Sequence, residues 1–311
     1  MSNPKAKKNL AASVRQRLLN LVREQNEDFG LFLTKYGLER ILFRLSQSRH
    51  RDVFILKGAL LFELWTEQTY RPTRDADFLG TGESSLERFT QIFKDISAEE
   101  VEDDGLRFDA ESVKAERVKE DADYEGVRVT LMGHLDNARI PIQIDIGFGD
   151  VVTPGPVETE YPSLLDLPRA RLLAYPRETV VAEKFEALVK LGMANSRMKD
   201  FHDLYTLASQ FEFEGKILAE AIRRTFDRRG TELPANGAAF AFTESFHNDE
   251  NKIKQWKAFC EKNKRYVQER ELNEVVAYIA AFLVPVAKSV QAKAPFSGTW
   301  KSGSPWSFVA E

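Results

Sequence analysis

The chain has 311 residues with an ordinary globular composition, 43% hydrophobic and 30% charged, which is long enough for two domains. Its 44 basic and 48 acidic side chains give a net charge of −4, which excludes a wholly basic nucleic-acid binder but not a local basic patch. The single cysteine excludes a disulfide framework, a cysteine zinc site and an iron–sulfur cluster. The four histidines are scattered and are not paired at the spacing of a zinc site, so we expect any metal ligands to be oxygens.

The first half of the chain predicts a helical start, then a mixed sheet that ends in an antiparallel meander. Periodicity and turn residues predict these elements in order: helix 10–48, strand 53–56, helix 59–68, strand 75–79, helix 84–96, and alternating strands 106–118, 124–131 and 139–146. We find no run of about twenty apolar residues and no secretory signal, so we expect a cytoplasmic protein without a membrane span.

Glycine and proline punctuate residues 147–176, which indicates a boundary between two domains. Helical spacing predominates after it, and the last residues are rich in Gly, Ser, Pro and Trp, typical of a loosely held end. We therefore divide the chain into an N-terminal helical segment, 1–50, packed on the next domain; an α/β core, 51–150; a connecting loop, 151–176; a helical domain, 177–293; and a loose tail, 294–311.

Asp75 and Asp77 are the first residues that suggest chemistry. They begin a short strand, where residues two apart point to the same face. Two carboxylates on one face repel each other unless a cation lies between them, and a divalent metal is the usual cation. The alternative is a solvated strand end.

Asp145 is a third candidate, on a strand with isoleucines on its other face. Gln143 and Gly147 share the face of Asp145, and the glycine leaves room beside it. This pattern predicts either one wet strand face or a third carboxylate that completes a metal site with Asp75 and Asp77. Ligands that are all oxygens favour Mg²⁺ or Mn²⁺.

Lys57-Gly58 ends a strand and opens a helix, an arrangement that lets backbone N–H groups approach a phosphate. The order of strand, glycine turn, helix, the Asp75–Asp77 strand and a later strand with Asp145 is typical of a polymerase-beta-type nucleotidyltransferase core. In such a core two metals bridge the carboxylates and a nucleoside triphosphate.

Four motifs in this order resemble the AbiEii/AbiGii-type nucleotidyltransferase toxins. The matching segments are Lys57-Gly58-Ala59-Leu60, Arg71-Pro72-Thr73-Arg74-Asp75-Ala76-Asp77-Phe78, Ala182-Glu183-Lys184-Phe185 and Arg197-Met198-Lys199-Asp200-Phe201-His202-Asp203-Leu204-Tyr205. The resemblance covers about residues 54–205. One departure is Ala59, where the wider superfamily has Gly or Ser, so a hydroxyl contact to phosphate is lost there.

The resemblance implies a role for each matching residue. It makes Asp75, Asp77 and Asp145 the metal ligands and, with Lys184 and Asp200, the catalytic residues. It places the nucleotide against these residues: Lys57, Gly58, Ala59, Arg71, Thr73, Lys184, Lys199 and Asp203. Without the resemblance, Lys184 fits a surface lysine with its stem along an apolar helix, and Asp200 and Asp203 fit either a helix cap or a phosphate site.

The resemblance also implies an α+β fold: a polymerase-beta-like nucleotidyltransferase domain with a mixed sheet, over 51–150, followed by an all-helical C-terminal domain. The implied activity moves an NMP from an NTP to an acceptor hydroxyl with Mg²⁺ or Mn²⁺. The implied acceptor is the 3′ end of a tRNA. The protein is then the toxin of a toxin–antitoxin or phage-defence pair with a separate antitoxin protein.

Two alternatives stay open at this stage. One is transfer of the nucleotide to a protein or a small molecule, and the other is a non-catalytic module that binds nucleotide. Two clusters of arginine are relevant to the identity of the acceptor. Each is either a solvated helix face or part of a groove that binds an RNA backbone. The clusters are Arg40, Arg44, Arg49 and Arg51, and then Arg223, Arg224, Arg228 and Arg229.

Overall fold

The computed structural model describes residues 4–66, 70–121 and 124–308. The chain divides into two units. Unit 1 consists of residues 1–149 and 157–174, and unit 2 of residues 150–156 and 175–311.

The described part of unit 1 contains four α-helices and a seven-stranded mixed sheet. The helices are α1 (Pro4–Gln25), α2 (Phe29–Gln47), α3 (Leu61–Trp65) and α4 (Leu86–Ala98). The strands are β1 (Phe54–Lys57), β2 (Asp75–Gly80), β3 (Leu106–Asp121), β4 (Tyr124–Leu135), β5 (Ala138–Phe148), β6 (Val157–Glu160) and β7 (Arg171–Ala174). Their order is β3-β4-β5-β2-β1-β7-β6. β2 is antiparallel to β1 and parallel to β5. The predicted mixed sheet with a meander is thus confirmed.

The two faces of β5 differ in character, and this difference positions the site. Ile140, Ile142, Ile144 and Ile146 are buried, and residues between them are not. A side chain at Gly37 of α2 would overlap Ile142, because its Cβ would lie 2.6 Å from Ile142 Cδ1. Helix α2 therefore packs closely on the apolar face of β5, and the opposite face carries the polar side chains.

Arg40 and Arg44 are buried, so for them both the solvated-face and the RNA-groove hypotheses are wrong. Each guanidinium donates a 2.8 Å hydrogen bond to Asp104 Oδ2, and Asp104 is itself 2% exposed. A buried charge needs a partner, and here one carboxylate is shared by two arginines on successive turns of α2. Because Asp104 lies about sixty positions away, helical spacing in α2 gives no indication of the pairing.

The segment 151–176, predicted as a connecting loop, contains two strands of the sheet in unit 1. β7 pairs with β1 in parallel, and β6 pairs with β7 antiparallel. Each of these strands has only four residues, so its alternation of side chains is too short to recognise in a segment rich in proline. The prediction of a single loop at this position is therefore wrong.

Unit 2 is mainly helical, as predicted. Its described elements are α5 (Arg177–Leu191), α6 (Met198–Gln210), β8 (Phe213–Glu214), α7 (Gly215–Arg229), α8 (Glu244–His247), α9 (Glu250–Lys262), α10 (Leu272–Gln291) and β9 (Thr299–Trp300). The strands β8 and β9 form a small antiparallel pair. Helix α10 packs on α6 and α7.

The tail, predicted to be loosely held, is part of the core of unit 2. Trp300 is 2% exposed, and its indole Nε1 donates to the carbonyl of Ala208 at 2.7 Å. Trp306 stacks on Phe282 of α10 with ring centroids 5.8 Å apart. The Gly and Ser content suggested a loose end, but the large apolar area of the two indoles holds this segment in place.

In the described part of the chain, one helix is long and apolar enough to cross a membrane by length and composition: α10. Helix α10 is not an uninterrupted apolar run of about twenty residues, because Glu274 and Lys288 lie within it. Val275, Ile279, Phe282 and Val286 of α10 are buried within unit 2. The core helix of a helical domain passes the same composition test, because neighbouring helices cover much of its surface.

Candidate active site

Five charged side chains lie in one row across the sheet of unit 1. The strand registers place Lys57 opposite Asp77, Asp77 opposite Asp145, Asp145 opposite Arg128, and Arg128 opposite Glu116. Directly opposed residues on neighbouring strands point to the same face of the sheet. In this charged row the two central carboxylates therefore lie between two cations.

Arg128 holds Asp145 with a bidentate ion pair. Its Nε lies 2.7 Å from Asp145 Oδ1, and its Nη2 lies 2.8 Å from Oδ2. The Gln143 amide adds a third contact, 3.2 Å from Oδ2. The hydrogen bond to Asp145 is the main reason that the pKa of Arg128 is raised, and the negative charges of Asp145, Glu116 and Asp75 raise it further.

Sequence reasoning missed Arg128. Arg128 lies between Val127 and Val129, which is the alternation expected of any strand residue that faces solvent. Only the register between β4 and β5 places it against Asp145.

Asp75 lies two residues before Asp77, on the same face of β2, and both side chains are partly exposed. Thr73 donates a hydrogen bond from its Oγ1 to Asp75 Oδ1, and this bond orients the carboxylate. The guanidinium of Arg71, just before, lies 5.7 Å from the ring centroid of Tyr70. The structure thus places Thr73, Asp75 and Asp77 together, with Arg71 at the start of the same segment.

The turn after β1 lies directly against Asp77. Gly58 has a φ of +76°, which favours glycine. A Cβ at this position would lie 2.0 Å from Asp77 Oδ2, so any other residue would overlap the carboxylate. Gly58 begins a short 3₁₀ turn over Gly58–Leu60 that includes Ala59, and Lys57 before it is buried. The predicted phosphate turn and the predicted metal carboxylate are therefore in contact.

The carboxylates of β2 fit a hard divalent cation. No three His, Cys, Asp or Glu side chains converge on a metal position within the described ranges. Asp145 gives both oxygens to Arg128, so Asp75 and Asp77 on β2 are the other two carboxylates of the predicted metal site. Mg²⁺ is commonly held by one or two carboxylates, with water and substrate phosphates as its other ligands.

Unit 2 holds Lys184 between two buried aspartates. The ammonium Nζ lies 2.7 Å from Asp200 Oδ1 and 2.8 Å from Asp203 Oδ2, and both carboxylates are less than 2% exposed. Arg197 Nε lies 2.8 Å from the second oxygen of Asp200. Lys184 is thus fixed by α6 and is not a surface lysine, whereas Lys199 is exposed on the other side of that helix turn.

Beside Lys184, Arg229 gathers three acids, a cluster that sequence reasoning missed. Its guanidinium lies 3.0 Å from Asp150, 3.4 Å from Glu183 and 2.9 Å from Glu186. Burial lowers the pKa of Arg229, but the charges of Glu183, Asp150 and Glu186 outweigh it and leave the pKa raised. One hypothesis for Arg229 is a groove for an RNA backbone, but in the structure its guanidinium forms ion pairs with these three acids.

Comparison with known proteins now places the chain in a family. A family model described as the nucleotidyl transferase AbiEii toxin of type IV toxin–antitoxin systems matches residues 40–278. The chain belongs to this family. It is therefore a nucleotidyltransferase enzyme of the toxin class, a family whose members use an NTP and a divalent metal and are paired with an antitoxin.

Two crystal structures from Helicobacter pylori are similar in fold. A candidate nucleotidyltransferase is 15% identical, has a TM-score of 0.45, and the alignment covers 86% of this chain and 96% of that one. The protein JHP933 is 14% identical with a TM-score of 0.46, and the alignment covers 86% of this chain and 94% of that one. No functionally curated protein sequence matches the chain.

We predict that Gly58→Ala lowers the rate of nucleotide transfer by about 100-fold, because the new methyl group displaces the Asp77 carboxylate and strains the turn. Gly155→Ala is the matched control, since a Cβ at Gly155 meets nothing within 4 Å. Steady-state rates of both variants, with thermal melting to check the fold, measure the effect. Equal rates for the two variants would contradict it.

We predict that Lys184→Met destabilises unit 2 by about 3–5 kcal/mol, because the buried Asp200 and Asp203 lose the ammonium group that they share and Arg197 lies beside Asp200 only. Replacing both aspartates by Asn in the same variant is expected to restore most of the loss. Urea unfolding followed by tryptophan fluorescence measures it, since Trp256, Trp300 and Trp306 lie in unit 2.

The matched control for this prediction is Lys199→Met, which removes an exposed lysine fifteen positions further along. Its unfolding midpoint is expected to stay at the wild-type value. A Lys184→Met midpoint that also stays there would show that the two aspartates do not depend on Lys184.

Proposed function

We propose that this protein transfers an NMP from an NTP to the 3′ end of a tRNA in a Mg²⁺-dependent reaction. We further propose that it acts in the cytoplasm as the toxin of a phage-defence toxin–antitoxin system whose antitoxin is a separate protein. The observation that carries the proposal is the contact between the Gly58 turn and the Asp77 carboxylate, in a chain of the AbiEii family.

Asp75 and Asp77 are proposed as the metal ligands, with Asp145, now paired with Arg128, as the third carboxylate. A metal held there would lower the pKa of the attacking hydroxyl and would offset the negative charge of the leaving pyrophosphate. Thr73 keeps the Asp75 oxygens oriented, and Gly58 leaves the space that the Asp77 carboxylate occupies. Both residues therefore fix the positions of the ligands before substrate arrives.

The remaining predicted residues are proposed to bind the nucleotide. Backbone N–H groups of the turn formed by Lys57, Gly58 and Ala59 contact phosphate, and they do so without the hydroxyl that Ala59 lacks. Arg71 and Thr73 lie on the segment that leads into β2, beside the carboxylates. We propose that they contact the nucleotide next to its phosphates.

In unit 2, Lys184 is proposed as the cation that binds the triphosphate. Asp200 and Asp203 hold its ammonium group in one position. Asp200 acts as a functional acid through this contact, and the exposed Lys199 adds positive charge nearby. Because α6 carries both aspartates, the position of Lys184 depends on α6 as well as on α5.

The proposal is tested by incubating the protein with total tRNA, Mg²⁺ and each α-labelled NTP in turn. We expect label on tRNA from one or more NTPs, and its loss with EDTA or in Asp75→Ala. Asp52→Ala is the control, because the Asp52 side chain is 80% exposed, and it should label tRNA like the wild type.

Other outcomes of this assay would overturn parts of the proposal. NTP consumption without label on tRNA would direct the search to a protein or a small molecule as acceptor. Full activity in Asp75→Ala would remove the metal-ligand role of Asp75. An absence of both label and consumption would contradict catalysis by the protein alone.

A further inference from the structure

A groove runs along the meander of unit 1, beside the charged row. Its cavity volume is about 640 Å³, and its lining includes Arg74, Lys114, His134, Arg139 and Gln143. The hydroxyls of Thr34, Ser112 and Thr130 also line this meander groove. Thr34 and Ser112 donate their hydroxyl hydrogens to the carbonyls of Gly30 and Asp109, so the groups of this lining that suit phosphate oxygens are its cations. Apolar side chains complete the lining: Leu131, Met132, Pro141 and Ile142.

The meander groove adjoins the carboxylates of β2 through Gln143. Asp75 lies opposite Gln143, Gln143 opposite Thr130, and Thr130 opposite Lys114, so these four residues form a second row next to the charged row. Gln143 belongs to both places, because it lines the groove and donates to Asp145 Oδ2 at 3.2 Å.

The far end of the meander groove lies near the turn between β4 and β5. There His134 is opposite Arg139. A chain bound along the groove would therefore have one end at the carboxylates of β2 and would extend away over the meander.

The cations of the meander groove differ from the other arginines considered as RNA contacts. Within the described residues, no ion pair is formed by Arg74, Lys114 or Arg139. By contrast, Arg223 is paired with Glu220 at 2.7 Å and with Asp227 at 2.9 Å. One carboxylate, Asp109, lines the same groove and accepts a backbone hydrogen bond from Glu111 at 3.1 Å.

We propose that the meander groove binds the phosphodiester backbone of the RNA acceptor, next to the 3′ end that receives the nucleotide. This inference rests on the proposed function. Two observations favour an RNA strand. The groove holds three cations without ion pairs and one carboxylate, and its lining residue Gln143 lies opposite Asp75 of β2. Each phosphate neutralised by a lysine or arginine releases counterions, which makes such binding sensitive to salt.

The test is the double variant Lys114→Glu/Arg139→Glu, assayed for nucleotide transfer to tRNA. The control is Arg169→Glu/Arg171→Glu, which makes the same change of charge at exposed positions at the other end of the sheet. We expect the groove variant to raise the KM for tRNA at least 10-fold, while the KM for NTP stays within two-fold. The control should leave both constants unchanged.

Salt dependence gives a second readout. In the binding of a labelled single-stranded oligoribonucleotide, the slope of log K against log salt should fall by about 1.4 in the groove variant, for two lost phosphate contacts. A neutral pair, Lys114→Gln/Arg139→Gln, should show the same reduction in slope, and thermal melting of each variant checks that it is folded.

Several results would overturn the inference. An unchanged KM for tRNA and an unchanged salt slope would show that RNA does not use the groove, although the proposed function would stand. An equal rise in the KM for NTP would show that the substitutions act through the nucleotide site. If the wild type labels a protein and no RNA, the proposed acceptor fails, and an effect of the groove variant on that protein would assign the groove to an acidic protein surface.

Discussion

Asp77 and Asp145 place two negative charges opposite each other on adjacent strands, and the structure around them offsets their repulsion. Lys57 lies next to Asp77 in the charged row, and Arg128 binds both oxygens of Asp145. The two cations lie on either side of the Asp77–Asp145 pair and offset its negative charge. Asp75 adds a further negative charge on the β2 side, where a divalent cation would be stabilised most. A metal held on β2, as proposed, would lie beside the Gly58 turn, which contacts Asp77.

The same constraint recurs away from the charged row, in two sets of buried charges that pair with side chains of opposite sign. Asp104 is shared by Arg40 and Arg44, and Lys184 is shared by two aspartates. Such pairs add little net stability compared with apolar packing, but removal of one partner leaves a buried charge uncompensated. They therefore fix particular geometries. In unit 2 this holds Lys184, a proposed triphosphate ligand, in one position.

The sequence predicts the strands of the site well, because short apolar runs and the paired aspartates of β2 are local signals. The motifs further predict Lys184, Asp200 and Asp203, which the structure brings together. What sequence reasoning missed depends on partners far apart in the chain. Arg128 acquires its role only through strand register, and strands β6 and β7 are too short to show a period. The tail was misjudged because its glycines and serines were weighed above its two indoles.

The central claim, that Asp75 and Asp77 hold a metal together with the phosphates of an NTP, is tested most directly by electron paramagnetic resonance of Mn²⁺. Mn²⁺ is titrated into the protein with and without a non-hydrolysable NTP analogue, and into Asp75→Asn/Asp77→Asn. Two carboxylates alone predict weak Mn²⁺ binding that tightens at least 10-fold with the analogue, and loss of this tightening in the variant. Equal Mn²⁺ binding by the wild type and the variant in the presence of the analogue would contradict the account.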